Sequence, residues 1–256
     1  MSTPVIAFNT ANLVARHTEW RFELKNWGEQ HKLTVEKTDE AEWAKICAEI
    51  AAAGFRAIEV WVAHVDPANM TDARAKRYKT IMADNGLSPI GLAGTLNDDT
   101  ARVCQQLRIP ACNGGLWGSD LPTIQRLTRE TPLAFNYENH PEKSVDEIVQ
   151  KIAGGNEKIG VALDTGWLGT NNLDAPAAVR ALGPLVHHVH VKDIATLGQH
   201  DTCPLGEGVV NIKGVIAALK SIGYTGVLSW EDEPEERNPM LIAKPMREWI
   251  EREWTQ

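Results

Sequence analysis

Paired cysteines, long apolar runs and an excess of basic charge are all missing from this 256-residue sequence. The four cysteines, Cys47, Cys104, Cys112 and Cys203, form no C-x-x-C pair, so neither a zinc knuckle nor a redox motif is indicated. Scattered thiols suit a reducing cytoplasm. No apolar run approaches the roughly 18 residues that span a bilayer. The first residues show neither a basic segment nor an apolar one, and the expectation is a cytoplasmic protein without a signal peptide. Acidic residues number 34 against 26 basic ones, a net charge of −8. That balance repels phosphate backbones and argues against a nucleic-acid partner. No G-x-G-x-x-G follows the first apolar run, so a dinucleotide fold lacks its usual signal. Linkers and low-complexity stretches are missing too, which leaves one domain over residues 1–256. Its length matches the roughly 250 residues of a (β/α)8 barrel.

What is present is a repeated theme of apolar run, loop and amphipathic helix. The runs are Val5–Phe8, Ala57–Val62, Ser88–Leu92, Ile109–Cys112, Leu133–Tyr137, Gly160–Leu163, Val186–Val191 and Gly226–Trp230. Several are apolar at consecutive positions, as strands covered on both faces must be. Helices start after Asp39, Ser144 and Asn211, each with a capping side chain and an apolar stripe. Gly54 and Gly223 supply stops. A last helix follows Asn238-Pro239, and Pro245 is expected to kink or split it. Eight strands alternating with helices predict an α/β fold, a single closed (β/α)8 barrel. The polar stretch from about 12 to 37, a long first βα loop containing Arg16, His17, Trp20 and Trp27, breaks the rhythm. A connection of that length reads as a lid, an oligomer contact or a packed surface excursion.

Barrel chemistry gathers at the carboxyl ends of strands. There the sequence places Glu138, Asp164, His190 and Glu231. Intervals of 26, 26 and 41 residues separate them in that order. One β/α unit takes about 30 residues, so the four belong to four successive strands, whose neighbours lie about 4.8 Å apart. Three carboxylates and an imidazole brought together repel one another unless a cation joins them. Glu138, Asp164, His190 and Glu231 are therefore the predicted metal ligands. Mostly oxygen donors with one nitrogen suit Mn²⁺ first, then Mg²⁺, Co²⁺ or Zn²⁺. His140, two residues beyond Glu138, falls on the same side of an extended segment and is a candidate catalytic base or hydrogen-bond donor. Candidate substrate contacts are Trp167, Lys192, His188, Glu59 and Arg237. Gly206 and Gly208 are read as turn residues.

Glu-Asn-His-Pro (138–141), Leu-Asp-Thr-Gly (163–166), His-Val-His-Val-Lys-Asp (188–193), Gly-Glu-Gly (206–208) and Gly-Tyr-Thr-Gly-Val-Leu-Ser-Trp-Glu (223–231) together carry a family resemblance. With Gly54-Phe55-Arg56-Ala57-Ile58-Glu59 they make the chain similar to the xylose isomerase-like barrel superfamily, specifically its sugar phosphate isomerase/epimerase group. The resemblance implies a metal-dependent isomerase or epimerase of a sugar or keto-sugar. It would work by proton abstraction next to a carbonyl through a metal-stabilised enediolate, with Glu138 and Glu231 as the catalytic pair. It also implies an alternative, a lyase releasing the aglycone from a 3-oxo-glycoside, similar to the catalytic subunit of C-glycoside-cleaving enzymes. His140 would be the base there, and a small partner subunit could be required. The implied partner otherwise is a sugar or sugar conjugate, with a homo-oligomer left open. Sugar-binding members often carry a histidine three residues after the sixth-strand aspartate. Here that position is Trp167, which cannot accept a hydrogen bond and offers a flat stacking face, suited to a bulkier or partly aromatic substrate.

Overall fold

The computed structural model describes residues 4–256; the opening residues 1–3, part of the stretch read for a leader, lie outside the described residues. Among the described residues ten strands occur in chain order: β1 (Val5–Asn9), β2 (Ala57–Trp61), β3 (Ser88–Ala93), β4 (Ala111–Gly114), β5 (Ala134–Glu138), β6 (Ile159–Asp164), β7 (Val186–Val191), β8 (Asp193–Ile194), β9 (Thr202–Cys203) and β10 (Val227–Trp230). β1 to β7 and β10 close a parallel barrel in the order β1-β10-β7-β6-β5-β4-β3-β2, while β8 and β9 form a small antiparallel ribbon above it. The eight predicted apolar runs are these eight barrel strands.

Local sequence explains the surrounding helices. Asp39 accepts from the Glu42 amide to start helix Glu40–Ala52, whose Trp43, Ile46, Cys47 and Ile50 are buried. Gly54 follows at φ +91°, a left-handed conformation that a side chain would resist. Asn211 likewise caps helix Ile212–Ser221. Ser144 caps helix Val145–Lys151, but Glu147 turns its carboxylate to the Lys143 amide, so the reciprocal half of a capping box does not form. Asn238 and Pro239 begin a short 3-10 turn, Pro239–Leu241, and helix Ala243–Thr255 starts after it. The split falls at Ile242, ahead of Pro245, which lies in the first turn, where its missing N–H leaves no bond unmade.

The stretch from 12 to 37 is largely folded. It holds 3-10 turns at Thr10–Leu13 and Leu24–Asn26 and an α-helix, Trp27–Lys37. Arg16 pairs with Glu42 and Glu49 on the neighbouring helix. Arg16, His17 and Trp20 line a surface groove away from the mouth, whereas Leu24, Trp27 and His31 reach the mouth.

The barrel interior is unusual in chemistry. Where branched aliphatic layers are common, a polar chain runs through it. Asn136 donates to Asn113 (2.7 Å), Asn113 donates to Glu59 (2.6 Å), and Glu59 faces His188 (2.9 Å) and His190 (3.1 Å). Apolar packing is left to the layer between barrel and helices, where Phe8, Phe55 and Trp230 pack on one another.

Candidate metal centre at the barrel mouth

Strand register brings the four predicted ligands together. Glu138 ends β5 and Asp164 ends β6, where it pairs in register with His190 of β7. His190 pairs on its other side with Ser229 of β10, and Glu231 follows two residues later. One ligand atom from each of Glu138, Asp164, His190 and Glu231 lies within 4.8 Å of the other three, and all four residues are buried. His190 Nδ1 is 2.7 Å from Glu138 Oε1 and 2.9 Å from Glu231 Oε2. Ligands at about 2.1 Å from one octahedral ion are about 3.0 Å apart, so these separations suit a shared cation.

Neighbouring residues hold Glu231 and Asp164. Asn9 donates to Glu231 Oε2 (2.8 Å). Asn139 clasps the Asp164 backbone, donating to its carbonyl (3.0 Å) and accepting from its amide (2.9 Å). Asp164 Oδ1 accepts from the Trp167 amide, capping helix Thr165–Thr170. Its Oδ2 is also buried and makes no well-aligned hydrogen bond among the described residues, its near neighbour being Lys192 Nζ at 3.0 Å. Three buried carboxylates and one imidazole converging within 4.8 Å are a donor set that suits a hard divalent cation. The residues present thus fit such an ion.

A protein cation also occupies this neighbourhood. Lys192 Nζ is 3.0 Å from Asp164 Oδ2, 2.7 Å from Glu231 Oε1 and 3.0 Å from Glu233 Oε2. Burial disfavours the ammonium, yet Asp164, Glu231 and Glu233 outweigh it and hold Lys192 well above its ordinary value. Burial raises Asp164 against the pull of Lys192. Burial opposes ionisation of Glu231 as well, but Lys192 and His190 keep it well below the carboxylate range. Burial pushes Glu233 up to about 8, against the attraction of Lys192.

The other candidates divide. His140 and Trp167 line the mouth cavity of about 540 Å³ with Lys192, and His140 Nε2 is 3.7 Å from Glu138 Oε2. Glu59 and His188 do not contact the cavity. Glu59 is fully buried beneath His190, where burial opposes its charge but His188 and His190 hold it well below the usual range. A carboxylate on the far nitrogen of a ligating imidazole fixes which nitrogen faces an ion; Glu59 sits on His190 in that way, and His188 sits on Glu59. Arg237 pairs with Asp232 in a double hydrogen bond (2.8 and 3.0 Å) and is not a cavity residue. Gly206 does turn the chain, at φ +83°. Gly208 serves a close approach instead, because a Cβ there would meet Asp193 Oδ1 at 2.2 Å.

Sequence reasoning missed Asn9, Glu233, His200, Trp61 and Trp117. His200 stacks on Trp167 at 4.1 Å, and burial lowers it to about 4. Acidic Glu233, two residues past Glu231, was the one with a visible signal.

Residues 124–253 match the Xylose isomerase-like TIM barrel family. An uncharacterized protein of Methanocaldococcus jannaschii is 28% identical over 145 residues, 52% of this chain and 48% of that protein. A mannonate dehydratase of Oceanobacillus iheyensis is 34% identical over 74 residues, 27% of this chain and 21% of the enzyme. The chain thus spans half or less of the curated relatives it matches. Among solved structures, a D-allulose 3-epimerase from Methylomonas sp., in complex with D-allulose, superposes with TM-score 0.70 at 16% identity, covering 99% of this chain and 98% of that one. A xylose isomerase-like barrel protein from Mycobacterium smegmatis, in complex with magnesium, gives TM-score 0.70 at 18% identity, over 86% and 90%. With its closed parallel barrel and buried Glu-Asp-His-Glu cluster, the chain belongs to the Xylose isomerase-like TIM barrel family.

Proposed function

We propose that this chain is a divalent-metal-dependent isomerase or epimerase of a sugar or keto-sugar, with Glu138, Asp164, His190 and Glu231 holding the ion, Mn²⁺ by preference. The observation that supports it is the convergence of those four side chains at one cavity, with Glu138 and Glu231 flanking Asp164 and His190 around the barrel wall. When bound, the ion would polarise the substrate's carbonyl and hydroxyl oxygens. Glu138 and Glu231 both line the cavity, so one takes the proton from the carbon next to the carbonyl and the other returns one from the opposite flank. Lys192 steadies the Glu231 carboxylate, and Glu59 orients His190. The helix Trp27–Lys37 presents Trp27 and His31 over the mouth and limits entry of water.

The test is metal content together with solvent-proton exchange. Purified protein supplied with Mn²⁺ should retain about one equivalent, Asp164→Ala should retain none, and the loaded protein should wash deuterium into a keto-sugar next to its carbonyl. No retained ion from Mn²⁺, Mg²⁺, Co²⁺ or Zn²⁺ would defeat the reading. His140, beside Glu138 in the cavity, supports elimination as a second reading. Release of an aglycone from a 3-oxo-glycoside without exchange of free keto-sugars would select it.

A further inference from the structure

The cavity is chemically two-sided, and only one side is explained by a sugar. Along β5, β6, β7 and β10 it is lined by the charged cluster. Along β1 to β4 it is lined by Leu24, Trp27, Trp61, Val62, Ala93 and Gly94. β2 and β6 are four strands apart in a ring of eight, so Trp61 at the end of β2 faces the side that carries Trp167. Trp27 packs on Trp61 at 5.1 Å, and His31 meets the edge of Trp61 at 5.4 Å. Apart from His31, which packs against Trp61, the polar side chains on this side are already engaged. Thr95 donates to the Gly115 carbonyl, Thr100 donates to the Thr95 carbonyl, and Asn97 caps its helix.

We infer that the substrate is a sugar conjugate with two unlike ends: an oxygen-rich end that meets the cluster and a flat apolar group, of aryl type, that fills the β1–β4 side between Trp27 and Trp61. The inference rests on the isomerase or epimerase reading for the oxygen-rich end alone. A free sugar has only a small apolar C–H face, enough for one tryptophan, and would leave much of the Leu24–Trp27–Trp61–Val62 wall in water. A cavity of about 540 Å³ lies within the range of roughly 300–1,000 Å³ that encloses drug-sized ligands. The same lining disfavours a phosphate. Among the described residues it includes no arginine, Lys192 is taken by three carboxylates, and burial lowers both His31 and His200 toward the neutral form.

Calorimetric titration of the Mn²⁺-supplemented full chain tests this with methyl and phenyl β-pyranosides of glucose, galactose, mannose and xylose. Burial of a phenyl ring predicts that at least one phenyl glycoside binds about tenfold or more tightly than its methyl partner. Trp27→Ala, with Trp61→Leu as a second variant checked for folding by its thermal melt, should bring that ratio close to one. Equal affinities in all four pairs, no binding by any phenyl glycoside, or a ratio untouched by both folded variants overturns the inference. So does glucose 6-phosphate binding more tightly than the methyl glycosides. These glycosides carry no carbonyl, so binding is read without turnover. A preserved ratio without proton exchange defeats the epimerase reading alone; a flat ratio with exchange intact defeats this inference alone.

Discussion

Around the barrel mouth the strands β5, β6, β7 and β10 end in or beside Glu138, Asp164, His190 and Glu231, whereas β1, β2, β3 and β4 end in Asn9, Trp61, Ala93 and Gly114. The backbone plan is the same on both sides, and the loops and end residues differ. The charged half carries groups whose burial only a cation makes tolerable. The apolar half has small or aromatic ends covered by the folded first βα segment. On the proposed reading, two halves of one parallel sheet take separate tasks, reaction and recognition, because strand-end residues differ within the same closed ring.

The largest break in this contrast should come from the carboxylates. Glu138→Gln and Glu231→Gln each remove a proposed proton-transfer group while keeping its shape, and each should slow α-proton exchange by about 10²–10⁴-fold with the phenyl-to-methyl binding ratio kept. Next is Lys192→Met. It leaves Asp164, Glu231 and Glu233 buried without their ammonium, and the metal-free protein should lose about 3–5 kcal/mol by denaturant titration. Added Mn²⁺ should restore much of that loss; if the variant is as stable as the parent without metal, Lys192 is not the counter-cation.

A smaller effect belongs to the apolar half. His64, following β2, is buried against Thr38 and the Thr10 carbonyl, and burial lowers it from 6.5 to about 3. The folded chain keeps this imidazole neutral while the unfolded chain protonates it below pH 6.5. Its contribution is thus complete above 6.5 and declines as pH falls toward 3. Glu59, held low, loses its contribution only below about 4.5, and His190, held high, is at full strength below 6.5. Between pH 6.5 and 4.5 His200, lowered to about 4, costs stability in the same direction and Glu233, raised to about 8, gains it, and the share of His64 should be about 2–3 kcal/mol. Melts of His64→Gln across that window should be markedly flatter. Least of all, Trp117→Ala should shift stability by within about 0.5 kcal/mol, since Trp117 is 64% exposed and surface changes are small. The phenyl-to-methyl ratio should move less than twofold if the wall of Trp27 and Trp61 is the recognition element.

The charged half was readable in the sequence and the apolar half was not. Glu138, Asp164, His190 and Glu231 announce themselves because ionisable residues at regular strand ends have few structural reasons to be there. Trp27 and Trp61 gave no such signal, as tryptophans are ordinary core residues and these two meet only when β1 and β2 pair. Glu59 lies 131 residues from His190 in sequence, so its place beneath that imidazole depends on ring closure. The helix Trp27–Lys37 was hidden by its polar composition, with Thr34 its one buried residue.

Asp193 opens another line of thought. Its carboxylate accepts from the amides of Ile194, Gly206, Gly208 and Val210, so one side chain fastens both ends of the segment that carries His200. Whatever lies between Ala195 and Leu205 leaves the barrel and returns to it through the same clasp. For anyone wishing to re-engineer this protein, that clasp is where a replacement loop would be joined, because its anchors lie outside the segment that forms one wall of the mouth.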